Sequence, residues 1–161
     1  MGPRKLTLHR TLNAAVADVF AAFLSPDALK HWWAPAGYEV RHAEVDARVG
    51  GRYSLEMRAL SDSHIVSIHG VYREIDPPTR LVFTHTFEQY SSDDPFAAVG
   101  LTGHYTLVTV ELNAHREVAE LVLVQEEIPT TEAEGVLSAG WHTILDKLAE
   151  YVDTASRADA C

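Results

Sequence analysis

Apolar and polar residues alternate along most of this chain, a pattern typical of β-strands with one buried face. The alternation predicts strands over residues 5–12, 38–48, 52–60, 64–75, 80–88, 103–112 and 118–127. Turn residues separate the later strands, at Asp76-Pro77-Pro78-Thr79 and at Asn113-Ala114-His115-Arg116. Because strands joined by short turns pair antiparallel, the pattern predicts a seven-stranded antiparallel sheet.

Two short helices are predicted between the first and second strands. Asn13 is expected to cap the first of them, because its side chain can accept a hydrogen bond from a free backbone N–H group. Ser25 is expected to cap the second, with Pro26 in its first turn and its end near Trp33.

A long helix is predicted after the last strand. Thr131 and Glu134 fit a capping box at its start. Apolar residues then recur at helical spacing: Ala133, Leu137, Trp141, Ile144, Leu145, Leu148 and Val152. This stripe predicts one amphipathic helix that ends near Thr154, followed by a frayed tail over 155–161.

The order β-α-α-β₆-α predicts an α+β fold of the helix-grip type. The apolar stripe of the long helix must be buried, and one face of the sheet is the available partner. A curved sheet wrapped around that helix, closed at one end by the short helices, leaves a cavity of the kind in which small apolar ligands bind.

Gly50-Gly51 lies between two alternating segments and predicts a tight hairpin, because tight turns need positive φ angles. Asp46 and Arg48 precede it two residues apart, which would place them on one face of the strand. Such a pair favours a structural ion pair over a ligand contact.

Composition narrows the class of protein. The chain has 161 residues, 47% of them hydrophobic and 22% charged, which fits a single domain over 1–161 with a core at about 6–153. Its net charge of −10 argues against nucleic acid or an anionic membrane as a partner. With Cys161 as the only cysteine and no apolar leader, the chain is expected in the cytoplasm.

Strand alternation and the helical stripe predict which side chains line the cavity. The predicted ligand-binding residues are Trp33, Tyr53, Met57, Tyr72, Phe83, His85, Phe87, His104, Gln125 and Trp141. This set is aromatic and aliphatic with a few polar atoms, and it fits a small, mostly apolar ligand with one or two polar groups. His85 and His104 have an alternative interpretation as structural histidines whose polar atoms are satisfied within the protein.

No motif for cofactor, metal or nucleophilic chemistry is present. The nine histidines are scattered without metal-ligand spacing, and no Gly-x-Ser-x-Gly elbow or phosphate-binding loop occurs. Acid–base catalysis by a pocket histidine is the remaining chemical possibility. The segment 88–102 is long for a hairpin loop and is either a lid, with Tyr90 and Phe96 over the cavity, or a disordered insertion.

Several segments resemble one family. They are Trp32-Trp33-Ala34-Pro35, Asp46-Ala47-Arg48-Val49-Gly50-Gly51-Arg52-Tyr53, the run from Gly70 to Thr84, Val108-Thr109-Val110, and Gly140-Trp141 followed by Leu145 and Leu148. They are similar to the family named after the activator of the heat-shock protein 90 ATPase, in the START-like, birch-pollen-allergen-like (SRPBCC) superfamily. The resemblance implies a helix-grip fold over about residues 6–153. Relatives often carry a Thr and a His on the last strand, where this chain has Ala119 and Gln125.

The expected function is binding of a small hydrophobic or aromatic molecule between the sheet and the long helix. The alternative is a cyclase-, aromatase- or hydrolase-like enzyme using the same pocket, and the third possibility is a co-chaperone-like module. The resemblance implies a chaperone partner only weakly, because the co-chaperone that gives the family its name carries an additional N-terminal domain. A monomer or homodimer is expected.

Overall fold

The computed structural model describes residues 4–88 and 95–159. Its elements, in chain order, are β1 Arg4–Leu12, α1 Val16–Leu24, α2 Pro26–Trp32, β2 Tyr38–Val45, β3 Arg52–Ala59, β4 Ile65–Asp76, β5 Arg80–Glu88, α3 Pro95–Ala98, β6 Thr106–His115, β7 Val118–Ile128 and α4 Thr131–Asp159. The strands form one antiparallel sheet in the order β1-β7-β6-β5-β4-β3-β2. The predicted α+β helix-grip architecture is therefore confirmed.

The apolar stripe of α4 is buried against the sheet, as predicted. All seven of its residues belong to the hydrophobic core: Ala133, Leu137, Trp141, Ile144, Leu145, Leu148 and Val152. Leu121 and Leu123 of β7 and Val108 and Val110 of β6 lie in the same core. Burial of one face from both elements supplies the main favourable free energy of the fold.

Helix caps follow the prediction only in part. Ser25 caps α2, where its Oγ accepts a hydrogen bond from Ala28 N at 3.2 Å. The prediction for Asn13 is wrong, because the residue preceding α1 is Ala15 and makes no side-chain cap bond. Asn13 Nδ2 instead donates to Asp153 Oδ1 at 2.8 Å and ties the α1 entry to α4.

The predicted ends of α4 are also corrected. The cap is Thr130, not Thr131, because Thr130 Oγ1 accepts a hydrogen bond from Ala133 N at 3.0 Å. The helix continues past Thr154 to Asp159, within the segment predicted as a frayed tail. Residues 160 and 161 lie outside the described part of the chain.

The Gly-Gly hairpin is wider than predicted. β2 ends at Val45 and β3 begins at Arg52, so the connection is a loop over 46–51. Gly50 has the positive φ of +84° that the turn requires. Gly51 is needed for space, because a Cβ atom there would lie 2.1 Å from the carbonyl oxygen of Asp46.

Asp46 and Arg48 lie in this loop and not on the strand. Arg48 Nε donates to Asp46 Oδ2 at 2.8 Å, and both side chains are largely exposed. The loop is fixed by its backbone, where Gly50 N donates to Tyr72 O at 2.8 Å and Tyr72 N donates to Gly51 O at 3.0 Å. The structural interpretation of the pair fits this exposed position at the sheet surface.

The region around β6 differs most from the prediction. β6 begins at Thr106 instead of 103 and continues to His115, so the turn to β7 is formed by Arg116 and Glu117. Gly103 has a φ of +75°, and its N–H donates to Phe87 O. The segment 88–102 was predicted as a long loop. Its residues 89–94, which include Tyr90, lie outside the described part of the chain, and its residues 95–98 form α3. Among the described helices, none is long and apolar enough to cross a membrane.

Candidate functional site

The inward face of β5 carries the residues predicted for it. Leu81, Phe83, His85 and Phe87 are all buried because successive side chains of a strand point to opposite faces. Phe83 pairs with Tyr72 of β4 and with Val108 of β6. The strand thus places one imidazole between aromatic rings in the middle of the concave side.

A small apolar pocket lies between this face and α4. Its volume is about 40 Å³. Because one water molecule needs about 10–15 Å³ of such space, the pocket has room for a few water molecules. We call it the α4 pocket; it is lined by Trp33, Pro35, Met57, Ile68, His85, Phe87, Phe96, Val136, Leu137, Gly140, Trp141 and Ile144.

Five of the ten predicted ligand-binding residues line the α4 pocket: Trp33, Met57, His85, Phe87 and Trp141. Three others, Tyr53, Tyr72 and Phe83, line a smaller cavity of about 10 Å³ beside α1 and α2. Trp33 belongs to both cavities, and its ring lies 5.4 Å from that of Trp141 and 6.1 Å from that of Phe83. The indole of Trp33 therefore stands between two spaces that the sequence suggested as one.

His85 is the polar residue of the α4 pocket. It is 4% exposed, and its ring lies 5.0 Å from Phe87 and 6.1 Å from Trp33. Within the described residues, its Nδ1 atom is buried without a hydrogen-bond partner. Burial, with a smaller contribution from His69, lowers the pKa of His85 to about 3. The imidazole is therefore neutral near pH 7 and carries one donor and one acceptor nitrogen.

Gln125 is buried, and both ends of its side-chain amide make hydrogen bonds within the protein. Its Oε1 accepts from Trp141 Nε1 at 2.7 Å, and its Nε2 donates to Thr106 Oγ1 at 2.9 Å. Thr106 Oγ1 in turn donates to the carbonyl oxygen of His85 at 2.8 Å. This chain of hydrogen bonds crosses from α4 through β7 and β6 to β5 and fixes the Trp141 indole in the wall of the pocket.

Tyr53 also uses its polar group inside the protein. Its hydroxyl donates to Thr84 O at 2.7 Å, and burial raises the pKa of Tyr53 well above its usual value. The ring lies over Gly70, where a Cβ atom would be 2.5 Å from Tyr53 Cε1 and 1.9 Å from Thr84 O. Gly70 is thus required by the close approach of the tyrosine, and the hydroxyl is occupied by backbone.

The expected position of His104 on the inward face is wrong. His104 precedes β6 and is half-exposed, and its Nε2 lies 2.7 Å from the carbonyl oxygen of Glu127. The prediction rested on strand alternation from residue 103 onward, but β6 begins only at Thr106, so His104 lies outside the strand. His104 lines neither of the two interior cavities.

Phe96 closes one side of the α4 pocket. Its ring stacks on Phe87 with centroids 4.3 Å apart and an interplanar angle of 11°. The sequence suggested Phe96 only as a possible cover, because the amino-acid pattern over 88–102 has no strand or helix periodicity. Leu137 and Ile144 lay in the predicted stripe about one turn on either side of Trp141, and this spacing could have identified them as lining residues.

The other side of the α4 pocket includes the connection between α2 and β2, which two hydrogen bonds hold against α4. Lys147 Nζ donates to Ala34 O at 2.7 Å, and Ala36 N donates to Thr143 Oγ1 at 3.0 Å. Partial burial lowers the pKa of Lys147. Pro35, between these contacts, is thereby fixed in the pocket wall.

A larger groove of about 460 Å³ lies on the outer face of the sheet. It is lined by Glu44, Arg52, Tyr53, Ser54, His69, Gly70, Val71, Thr84, Thr86 and Glu88. Its lining is half polar, and His69 Nε2 pairs with Glu88 Oε1 at 3.1 Å. We favour the interior pocket as a ligand site because ligand sites are concave and mostly apolar.

In the part of the chain that the structure describes, no cluster of three or more His, Cys, Asp or Glu residues could hold a metal ion. The paired histidines of the surface contact single carboxylates, as His42 does with Glu44 and His64 with Asp62. What the interior offers chemically is therefore an apolar, aromatic wall with one neutral imidazole.

Known structures share this fold. A protein from Chromobacterium violaceum is 32% identical, with a TM-score of 0.79, and the match covers 93% of this chain and 98% of that one. The AHSA1 protein from Silicibacter pomeroyi is 23% identical, with a TM-score of 0.78 and coverage of 94% and 99%. The AHSA1-like protein from Aeromonas hydrophila is 24% identical, with a TM-score of 0.73 and 94% coverage of each chain. The last two matches show the fold alone.

No curated protein matches the chain. Residues 13–153 match the profile of a family described as activator of Hsp90 ATPase homolog 1-like protein. This match spans most of the sequence and agrees with the resemblance and with the helix-grip fold. The chain therefore belongs to the family of activator of Hsp90 ATPase homolog 1-like proteins.

Proposed function

We propose that the protein binds a small hydrophobic or aromatic molecule in the α4 pocket. The observation that carries the proposal is a pocket wall of aromatic and aliphatic side chains contributed by both the sheet and α4. Such a wall gains free energy when it excludes water, at roughly 25 cal/mol per Å² of apolar surface buried. The fold family commonly binds hydrophobic ligands, which supports the same conclusion.

The size of the pocket limits the ligand. At about 40 Å³, the space cannot take an aromatic ring without movement of a wall. Phe96 is the wall residue that we expect to move, because its backbone belongs to a helix of only four residues, although its ring packs on Phe87 of β5. A single-ring ligand that takes the place of Phe96 against Phe87 would keep the stacking contact.

Two glycines of α4 offer a matched test with toluene as the probe. A Cβ atom on Gly140 would meet Pro35 Cβ at 3.8 Å in the pocket wall, whereas one on Gly135 meets nothing within 4 Å. We expect Gly140→Leu to abolish toluene binding by calorimetry and Gly135→Leu to bind like the wild type. Equal toluene binding by both variants, or none by the wild type, would rule out this pocket.

The enzyme alternative depends on His85 as a proton carrier. General acid–base catalysis is most efficient when the pKa of the group lies near the working pH. The pKa of His85, lowered to about 3, makes this imidazole a poor proton donor at neutral pH. Ligand binding is therefore the function we favour. The co-chaperone-like role, residence in the cytoplasm and the monomeric or homodimeric state stay predictions.

A further inference from the structure

We propose that the ligand of the α4 pocket carries an uncharged hydroxyl group that hydrogen-bonds to His85 Nδ1, which makes phenol-like compounds the preferred class. The inference rests on the proposed function of the pocket and adds the chemistry that selects the ligand. It follows from how the polar atoms on the concave side of the sheet are used.

The neighbouring buried polar groups already have partners. Gln125 bonds to Trp141 and Thr106 through the two ends of its amide, and Thr106 bonds to the backbone of His85. The Tyr53 hydroxyl bonds to the Thr84 carbonyl. Among the described residues that line the α4 pocket, only His85 has a buried side-chain nitrogen without a partner.

An unpaired nitrogen at this depth is costly. A buried polar atom without a hydrogen bond is less stable than the same atom in water, where water molecules satisfy it. Buried polar atoms in folded proteins are nearly always paired, so an exception at a pocket wall calls for a partner that comes from outside the chain. A ligand hydroxyl can supply it, because a hydroxyl both donates and accepts and so fits either tautomer of the ring.

The charge of the pocket excludes the ionic classes of ligand. His85 is neutral, and the other lining side chains are apolar or aromatic, so a buried carboxylate or ammonium group would find no opposite charge there. Burying an unpaired charge costs much more free energy than burying a hydroxyl. Fatty acids and amines are therefore disfavoured relative to alcohols and phenols of the same size.

The aromatic neighbours favour a phenol over an aliphatic alcohol. Phe87 lies beside His85, with ring centroids 5.0 Å apart, and also stacks on Phe96. A ligand ring that displaces Phe96 would pack on Phe87, whose ring is next to the imidazole. One flat ring with one hydroxyl group uses both features.

Phenol and toluene are matched probes, because they differ only by a hydroxyl in place of a methyl group. The matched protein variants are His85→Leu and His85→Asn, whose branched ends lie near the position of Nδ1 and differ in hydrogen-bonding ability. We expect the ratio of phenol to toluene affinity, measured by calorimetry, to fall roughly tenfold in His85→Leu and to be largely kept in His85→Asn. Benzoate should bind the wild type more weakly than phenol.

The outcomes separate the inference from the proposed function. If wild type and both variants bind toluene and show the same phenol-to-toluene ratio, or if benzoate binds the wild type more tightly than phenol, the inference is wrong and the pocket stands. If the wild type does not bind toluene, the proposed function itself fails.

A measurement on the unmodified protein covers the case in which a variant does not fold. The ¹⁵N resonance of His85 Nδ1 should move when phenol is added and stay in place when toluene is added at equal saturation. An identical response to the two compounds would overturn the inference.

Discussion

The buried neutral state of His85 predicts how the stability of this protein responds to acid. An ordinary histidine in the unfolded chain has a pKa of about 6.5, whereas burial lowers the pKa of His85 to about 3 in the folded protein. Between these two values the unfolded state binds a proton that the folded state does not. The contribution of His85 to folding stability is therefore complete above about pH 6.5 and is lost as the pH falls toward 3.

The magnitude follows from the two pKa values. On going from pH 7.5 to pH 5, the linkage relation gives a loss of about 2 kcal/mol in the free energy of unfolding from this one group. A loss of that size is a large part of the 5–15 kcal/mol typical of a folded domain. The His85→Leu variant lacks the titrating group. Between pH 7.5 and pH 5, the variant should therefore lose about 2 kcal/mol less free energy of unfolding than the wild type loses.

Urea denaturation followed by tryptophan fluorescence at the two pH values measures this difference directly. The other eight histidines are common to both proteins, so to a first approximation their contributions cancel in the comparison. If the wild type and His85→Leu lose the same stability between pH 7.5 and pH 5, the folded protein does not hold His85 in a buried neutral state. The α4 pocket would then no longer exclude ionic ligands through a neutral imidazole.

Three further predictions concern packing, the buried hydrogen-bond chain and the pocket wall. Gly70→Ala should lower the free energy of unfolding by about 2–3 kcal/mol, because its Cβ would lie 1.9 Å from a carbonyl oxygen, whereas Gly135→Ala should raise it by about 0.5–1 kcal/mol. Gln125→Leu should cost about 1–3 kcal/mol by denaturation. In a double-mutant cycle that cost should shrink in a Trp141→Phe background; strict additivity would contradict the hydrogen bond. Phe96→Ala should bind toluene about 3–10-fold more tightly by calorimetry, since the ligand no longer competes with a stacked ring; weaker binding would show that Phe96 is a fixed wall.

The sheet and α4 could be predicted because both have long, regular patterns. Alternation identified the inward faces of β3, β5 and β7, and the stripe around Trp141 identified the buried face of α4. Local rules were less reliable at the ends of elements. Asn13 is a good capping residue by type, yet its amide bonds to Asp153 in a distant part of the chain, a contact that no local pattern indicates.

The sequence predicted which strand faces carry the site residues, but not the shape of the cavities between the sheet and the helices. Tyr72 and Phe83 lie on the concave side as expected, but the indole of Trp33 separates them from the α4 pocket. The hydrogen-bond partners of the buried polar side chains could not be predicted either. The sequence did not indicate that Gln125 would find partners within the protein and that His85 Nδ1 would not. His104 was misplaced because it lies two residues before the start of β6, where strand alternation does not apply.

An NMR titration with toluene tests the central claim most directly. Binding in the α4 pocket predicts saturable shifts of the Trp33 and Trp141 indole N–H signals and of the Ile144 methyl groups, with His69 and Ser54 in the outer groove unchanged. The absence of saturable shifts at the pocket residues, or shifts confined to the outer groove, would contradict the account.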